Sequence, residues 1–178
     1  MSTDASARIR ALADEQAIHA QMCHYIQAID RCDVELLKST FHPDGSVIFG
    51  VFDGNAMDFC AWDIPFIRDN LLMGWHRVGN ISIVLDGDRA MAESYMLGNA
   101  AAALPAEYGG GVINCPDGLR YHDVWEKRDG TWRMFSRKLI MDWNACWPFS
   151  GSTEGIYASF DTGRRDRSDP AYALGILR

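Results

Sequence analysis

The chain has 178 residues, 48% of them hydrophobic and 11% aromatic, enough to bury one sizeable core without a second domain. Its net charge of −7, from 24 acidic against 17 basic residues, repels a polyanion such as nucleic acid, and the one dense basic cluster, Arg164-Arg165-Asp166-Arg167, is short, broken by an aspartate and reads as a solvated loop. No apolar run approaches the roughly 18 residues of a membrane span and the polar N-terminus lacks a signal-peptide pattern, while five cysteines without a Cys-x-x-Cys pair read as reduced thiols; a cytoplasmic protein is expected.

From Ser6 to about Asp30, the residues Ile9, Leu12, Ala13, Met22, Ile26 and Ile29 recur at mostly helical spacing and predict a first helix. Asp33 can cap a short second helix, Val34 to Thr40, ended by the turn residues His42 to Gly45. The stretch SVIFGVFDG predicts a short hairpin or bulged strand. Asn55 is placed to cap a third helix, Ala56 to about Met73, which Pro65 should kink or divide. Strands follow at about Trp75 to Leu85, Ala90 to Ala103, Val112 or Arg120 to Lys127, and Trp132 to Trp143, with PAEYGGGVINCPDG as a loop over a cavity mouth. Helices followed by a run of antiparallel strands predict an α+β domain whose curved sheet packs its inner face on the N-terminal helices. Residues 1–178 are expected to form one domain, with a core of about 11–143 and a tail of 144–178. The tail, carrying Trp147, Phe149 and a short apolar helix near Pro170, should dock as a lid over the cavity or on a neighbouring subunit.

The turn Asp86-Gly87-Asp88-Arg89 joins two of these strands. Pairing Asp86 with Arg89 and counting outward sets His76 opposite Asn99 and Val78 opposite Leu97 on one face, a mixed patch suited to a pocket wall. A single bulge would flip that register. A histidine becomes a base when a carboxylate orients its ring and balances the imidazolium, and Asp30, ending the first helix on the Met22 and Ile26 stripe, is the candidate partner. Tyr121 and Asp123 alternate onto one strand face. No histidine spacing supports a metal site, and no phosphate loop or nucleophile elbow occurs.

The segments YIQAIDRCDVELLKSTFHPDG, HRVGN, DGDRAMAESY and RYHDVWEKRDGTWRMFSRKLIMDW together resemble SnoaL-like members of the nuclear transport factor 2 superfamily, nearest the scytalone dehydratase, bile acid 7α-dehydratase and hexachlorocyclohexane dehydrochlorinase group. The resemblance covers roughly Ala11 to Trp143 and rests most on an aspartate ending helix one and a histidine opening a central strand, matched by Asp30 and His76. It implies a cone-shaped α+β barrel enclosing a small apolar substrate. It also implies that Tyr25 sits where bile-acid-type dehydratases have a tyrosine and the dehydrochlorinase a lysine, favouring loss of water over loss of chloride. Arg137 resembles the family's cavity arginine; Asn99 stands where an acidic residue is expected.

The expected function is a cofactor-independent, dehydratase-type lyase acting on a small hydrophobic cyclic molecule, aromatic, polyketide or steroid-like. His76 would be the base and Asp30 its orienter, with Tyr25 completing the catalytic set and Asn99, Arg137 and Trp143 binding substrate. An isomerase or polyketide cyclase would use the same dyad, and a non-catalytic binding module or dioxygenase β-subunit-like protein would not need it. Neither nucleic acid, membrane, metal nor cofactor is expected. A homo-oligomer is, trimer before dimer, on the argument that Trp125, Trp132 and Trp143 exceed what one small barrel can enclose.

Overall fold

The computed structural model describes residues 2–152 and 154–177. Helix α1 (Ser2–Asp30) buries Ile18, Met22, Tyr25, Ile26 and Ile29, a stripe along one face of its C-terminal half. Ile9 and Leu12, expected in that stripe, are exposed instead. Cys32, at φ +50°, turns the chain, and Asp33 caps α2 (Val34–Ser39) by accepting from the Leu36 amide at 3.1 Å.

The expected turn at His42 to Gly45 lies within strand β1 (Phe41–Phe49), as an irregularity between Phe41 and Ser46. Gly45 fits there because a Cβ would come within 3.0 Å of the His42 and Phe135 carbonyls. Strand β2 (Phe52–Asn55) completes a hairpin, and Asn55 caps α3 (Ala56–Asn70) through the Met57 amide at 2.7 Å. Pro65 lies inside α3 without dividing it. The helix buries Ala56, Phe59, Cys60, Asp63 and Ile64, at successive spacings of three, one, three and one.

Four long strands follow: β3 (Met73–Asp86), β4 (Arg89–Ala103), β5 (Val112–Arg128) and β6 (Thr131–Asn144). Strand β5 takes up much of the stretch expected to be a loop, leaving only a 3-10 turn at Ala106–Tyr108. Beyond β6, β7 (Trp147–Pro148) pairs with β5, and a short α4 spans Pro170–Ala173. The sheet order is β2-β1-β6-β5-β4-β3. Its pairs are antiparallel except β1 with β6, which is parallel, so the expected antiparallel sheet is mixed. It is also unclosed, with β2 and β3 at the ends of the order. The α+β class and the packing of helices on one face hold.

Trp125 and Trp132 are buried in the core with Leu37, Phe41 and Met134, whereas Trp143 is 48% exposed. The fold therefore encloses two of the three tryptophans and leaves the third outside. The cysteines also depart from expectation: Cys115 and Cys146 form a disulfide joining β5 to the segment after β6, and Cys23, Cys32 and Cys60 are free. Among the described residues no helix is long and apolar enough to cross a membrane.

Candidate active site

The hairpin β3–β4 keeps the counted register from Asp86↔Arg89 to Ser82↔Glu93 and then breaks it, resuming one step out at Gly79↔Tyr95. Asn80, at φ +49°, and Ile81 thus oppose one residue of β4, a bulge in which the left-handed conformation suits an asparagine. Because side chains alternate along a strand, the extra residue exchanges the faces of everything before it. Val84 and Ser82 point outward with Met91 and Glu93, but Val78 and His76 join the inner face with Met96 and Gly98. His76 pairs with Gly98, not Asn99; Asn99 pairs with Trp75.

The end of α1 meets His76 on that inner face. Its Nδ1 lies 2.6 Å from Asp30 Oδ1, and its backbone amide donates to Asp30 Oδ2 at 3.4 Å. Both side chains are about four-fifths buried, at 20% and 16% exposure. The contact makes Nδ1 the donor to the carboxylate and leaves Nε2 as the lone-pair nitrogen.

His76 lines a cavity of about 90 Å3 together with the apolar Ile26, Ile29, Phe49, Met96 and Leu119, the rings of Tyr25 and Tyr121, and three charged residues, Asp63, Asp117 and Arg165. A groove of about 800 Å3 adjoins it, sharing Gly74 and Arg165 and lined also by Asp30, Asn99, Phe149 and Asp169.

Burial raises the Tyr25 hydroxyl above its usual range, against the opposing pull of Arg137, so it remains a hydrogen-bond donor at neutral pH. Arg137 itself does not line the small cavity. Its guanidinium is fully buried, grips Asp123 through two hydrogen bonds of 2.7 and 2.8 Å, and lies 4.0 and 3.9 Å from the ring centres of Tyr25 and Tyr121. A stacked, doubly bonded arginine of this kind fixes the two rings from behind. Trp143 lies on the outer face: a bulge at Asp142 sets it opposite Gly118, over which its indole packs, beside Arg77, Tyr95 and Leu97.

The structure thus brings together His76, Asp30 and Tyr25, puts Arg137 behind the cavity, Asn99 in the adjoining groove and Trp143 on the opposite face. Sequence reasoning missed Asp63, Asp117, Gly98 and Arg165. Asp63 was visible as a carboxylate four residues after Phe59 and three after Cys60 on an apolar helical stripe. Asp117 was hidden in a Pro-Asp-Gly run that reads as a turn. The tail docks on its own chain. Arg165 donates to the carbonyls of Leu71 and, at 2.8 Å, Ile67; Arg31 meets Asp169 at 3.1 Å; Asp33 accepts from Tyr172 at 2.7 Å and Arg167 at 3.1 Å. Among the described residues no cluster of His, Cys, Asp and Glu is arranged to hold a metal ion.

Helices packed on one face of a half-open sheet, with a small polar-edged cavity between them, define an α+β domain of the cystatin-like type. The chain belongs to the SnoaL-like family: a SnoaL-like domain matches residues 10–138. Its fold is shared with a scytalone dehydratase-like protein of Novosphingobium aromaticivorans (20% identity, 80% of this chain and 93% of that one, TM-score 0.67). It is shared too with the hexachlorocyclohexane dehydrochlorinase LinA-type3 of Novosphingobium barchaimii (17%, 82% and 96%, TM-score 0.64). A protein of unknown function with a cystatin-like fold from Nostoc punctiforme is similar as well (19%, 73% and 92%, TM-score 0.58). Among curated proteins, no sequence matches this chain.

Proposed function

We propose that the protein is a cofactor-independent lyase of dehydratase type, acting on a small cyclic carbonyl compound. The observation that carries this reading is the 2.6 Å contact between Asp30 and His76 beside an open cavity. A purely structural subunit has no need of a largely buried imidazole–carboxylate pair, and would fill the space in front of it. His76 Nε2 removes a proton from the carbon next to the carbonyl, a step for which a positioned base gives about 10²- to 10⁴-fold. Asp30 fixes the tautomer and balances the imidazolium. The Tyr25 hydroxyl, a fixed donor at the cavity wall, supports the enolate oxygen as charge develops. The enzyme is expected to convert β-hydroxycyclohexanone to cyclohexenone, followed by enone absorbance. A rate no greater than that of a His76→Ala variant would contradict the reading.

The tail belongs to the same machinery. Arg165 lines both the small cavity and the groove, and its bonds to the end of α3 make it part of the wall that keeps water out. Truncation after Ser150 should lower both binding and turnover while far-ultraviolet circular dichroism remains close to that of the full chain. Wild-type kinetics in the truncated protein would show that the tail has no part in the site.

Assembly is proposed through the outer face of the sheet, where Val84, Met91, Tyr95, Leu97 and Trp143 are all 46% exposed or more. Such a patch is what a subunit contact covers. Sedimentation should give a homo-oligomer, a trimer in the first instance; a monomer at micromolar concentration would contradict it.

A further inference from the structure

The proposed elimination needs a proton delivered as well as a proton removed, because hydroxide is too poor a leaving group to depart unaided. The donors that the sequence offered are otherwise engaged or elsewhere: Arg137 is bound to Asp123 behind the cavity, and Asn99 lies in the groove. Two carboxyl groups on the cavity wall are uncommitted: Asp117, whose Oδ1 has no partner among the described residues and which stands on the same sheet face as His76, and Asp63 of α3. Asp63 is 5% exposed, lines the cavity with His76, and its carboxyl group makes no hydrogen bond or ion pair with any described residue. It comes from α3, whereas His76 comes from β3 and Asp30 from α1, so a bound ring is flanked by groups from separate elements.

We propose that Asp63 is the acid of the reaction, handing its proton to the departing hydroxyl, and that the substrate class is therefore a β-hydroxy carbonyl compound rather than a β-halo one. This rests on the dehydratase reading above. The balance is simple. His76 Nε2 takes the proton on the carbon next to the carbonyl, the freed electron pair becomes the carbon–carbon double bond, and the carbon–oxygen bond breaks as the Asp63 proton joins the oxygen. The products are a conjugated carbonyl compound and water. Passage of a proton from the imidazolium to the Asp63 carboxylate restores both groups, so no oxidant, reductant or metal is needed.

Two physical features favour this assignment. A carboxyl group buried without donors directed at it favours its neutral form; burial accordingly lifts Asp63 to about 6, opposed only in part by His76. The groups facing it are Tyr25 of α1, His76 of β3, Asp117 and Tyr121 of β5, and Arg165 of the tail. The thiols of Cys32 and Cys60 also lie near it. Asp117 is likewise raised by burial. A halide leaving into this company would meet two carboxyl groups and gain only from Arg165, whereas a hydroxyl gains a proton.

The test uses the full chain, wild type and Asp63→Asn, a near-isosteric change that removes the acid. Carbon-NMR titration of labelled aspartate carboxyls should show one resonance with a midpoint near pH 6 that vanishes in the variant. With β-hydroxycyclohexanone, Asp63→Asn should lose about 10²- to 10⁴-fold in kcat/KM. Chloride elimination from β-chlorocyclohexanone, which needs no proton and is spared one carboxyl group beside the departing chloride, should not fall in the variant. Equal losses on both ketones, no loss on the hydroxy compound, or titration of Asp63 in the ordinary carboxylate range would each overturn the assignment. The titration requires no substrate and so decides the state of Asp63 by itself. Failure of the dehydratase reading looks different: His76→Ala would then match wild type on both ketones.

Discussion

His76→Ala is expected to lose turnover of β-hydroxycyclohexanone by about 10²- to 10⁴-fold, the typical contribution of a positioned general base. Asp30→Asn should lose a comparable amount, since an amide can still accept from Nδ1 but no longer neutralises the imidazolium. The double variant should be little worse than either single one, because the 2.6 Å pair acts as a unit and residues that act as a unit are non-additive. The fold should persist in all three. Asp30 and His76 are partly solvent-accessible rather than part of the packed core, so no large cavity is created by either change. Kinetics together with an unfolding curve for each variant check both halves of this expectation. Full activity in either single variant would reject the dyad.

Gly98→Ala is expected to cost about 10²-fold in kcat/KM, although it adds one methyl group. Across the inner face of three strands His76, Gly98 and Asp117 stand side by side, His76 paired with Gly98 and Gly98 with Asp117. The absent side chain in the middle lets its two neighbours approach one another. A Cβ there would collide with the Asp117 carboxylate and come within 3.3 Å of His76 Cδ2. The strand backbone is paired on both sides and cannot move away, so the imidazole or the carboxylate must yield. Displacing a reacting group by about 1 Å is enough for a loss of this size. Steady-state kinetics of Gly98→Ala, beside an unfolding midpoint near that of wild type, measures it; wild-type kcat/KM would show that the imidazole is not tightly held.

The elements that could be read from the sequence were those whose signal is local. The cap at Asn55, the stripe of α1 from Met22 to Ile29, and the turn at Asp86 to Arg89 depend on residues close in the chain, and each appears in the fold. Strand register is different, because one extra residue anywhere along the ladder exchanges the faces. Asn80 has no mark that separates a bulged asparagine from a regular one, so the count from the turn missed His76's partner by one. The same holds at Asp142, where a second bulge sends Trp143 outward. Partners supplied from far along the chain were illegible for a related reason. Nothing near Arg165 signals that it would reach the carbonyls ending α3, 94 and 98 residues away, and a Pro-Asp-Gly run gives no hint that Asp117 continues a strand into the cavity. Within the candidate site, Asp30, His76 and Tyr25 were legible through a resemblance to relatives, whereas Asp63 was legible only as a polar residue on an apolar stripe.

The base itself can be isolated from every later step with a ketone that has no leaving group. Cyclohexanone incubated with the protein in deuterium oxide should exchange the hydrogens next to its carbonyl faster than the buffer alone allows. The exchange, followed by proton NMR, should be lost in His76→Ala and kept in Asp63→Asn, since only removal of a proton is required. Exchange that proceeds equally well without His76, or that wild type does not accelerate at all, would contradict a carbon-acid base at this position.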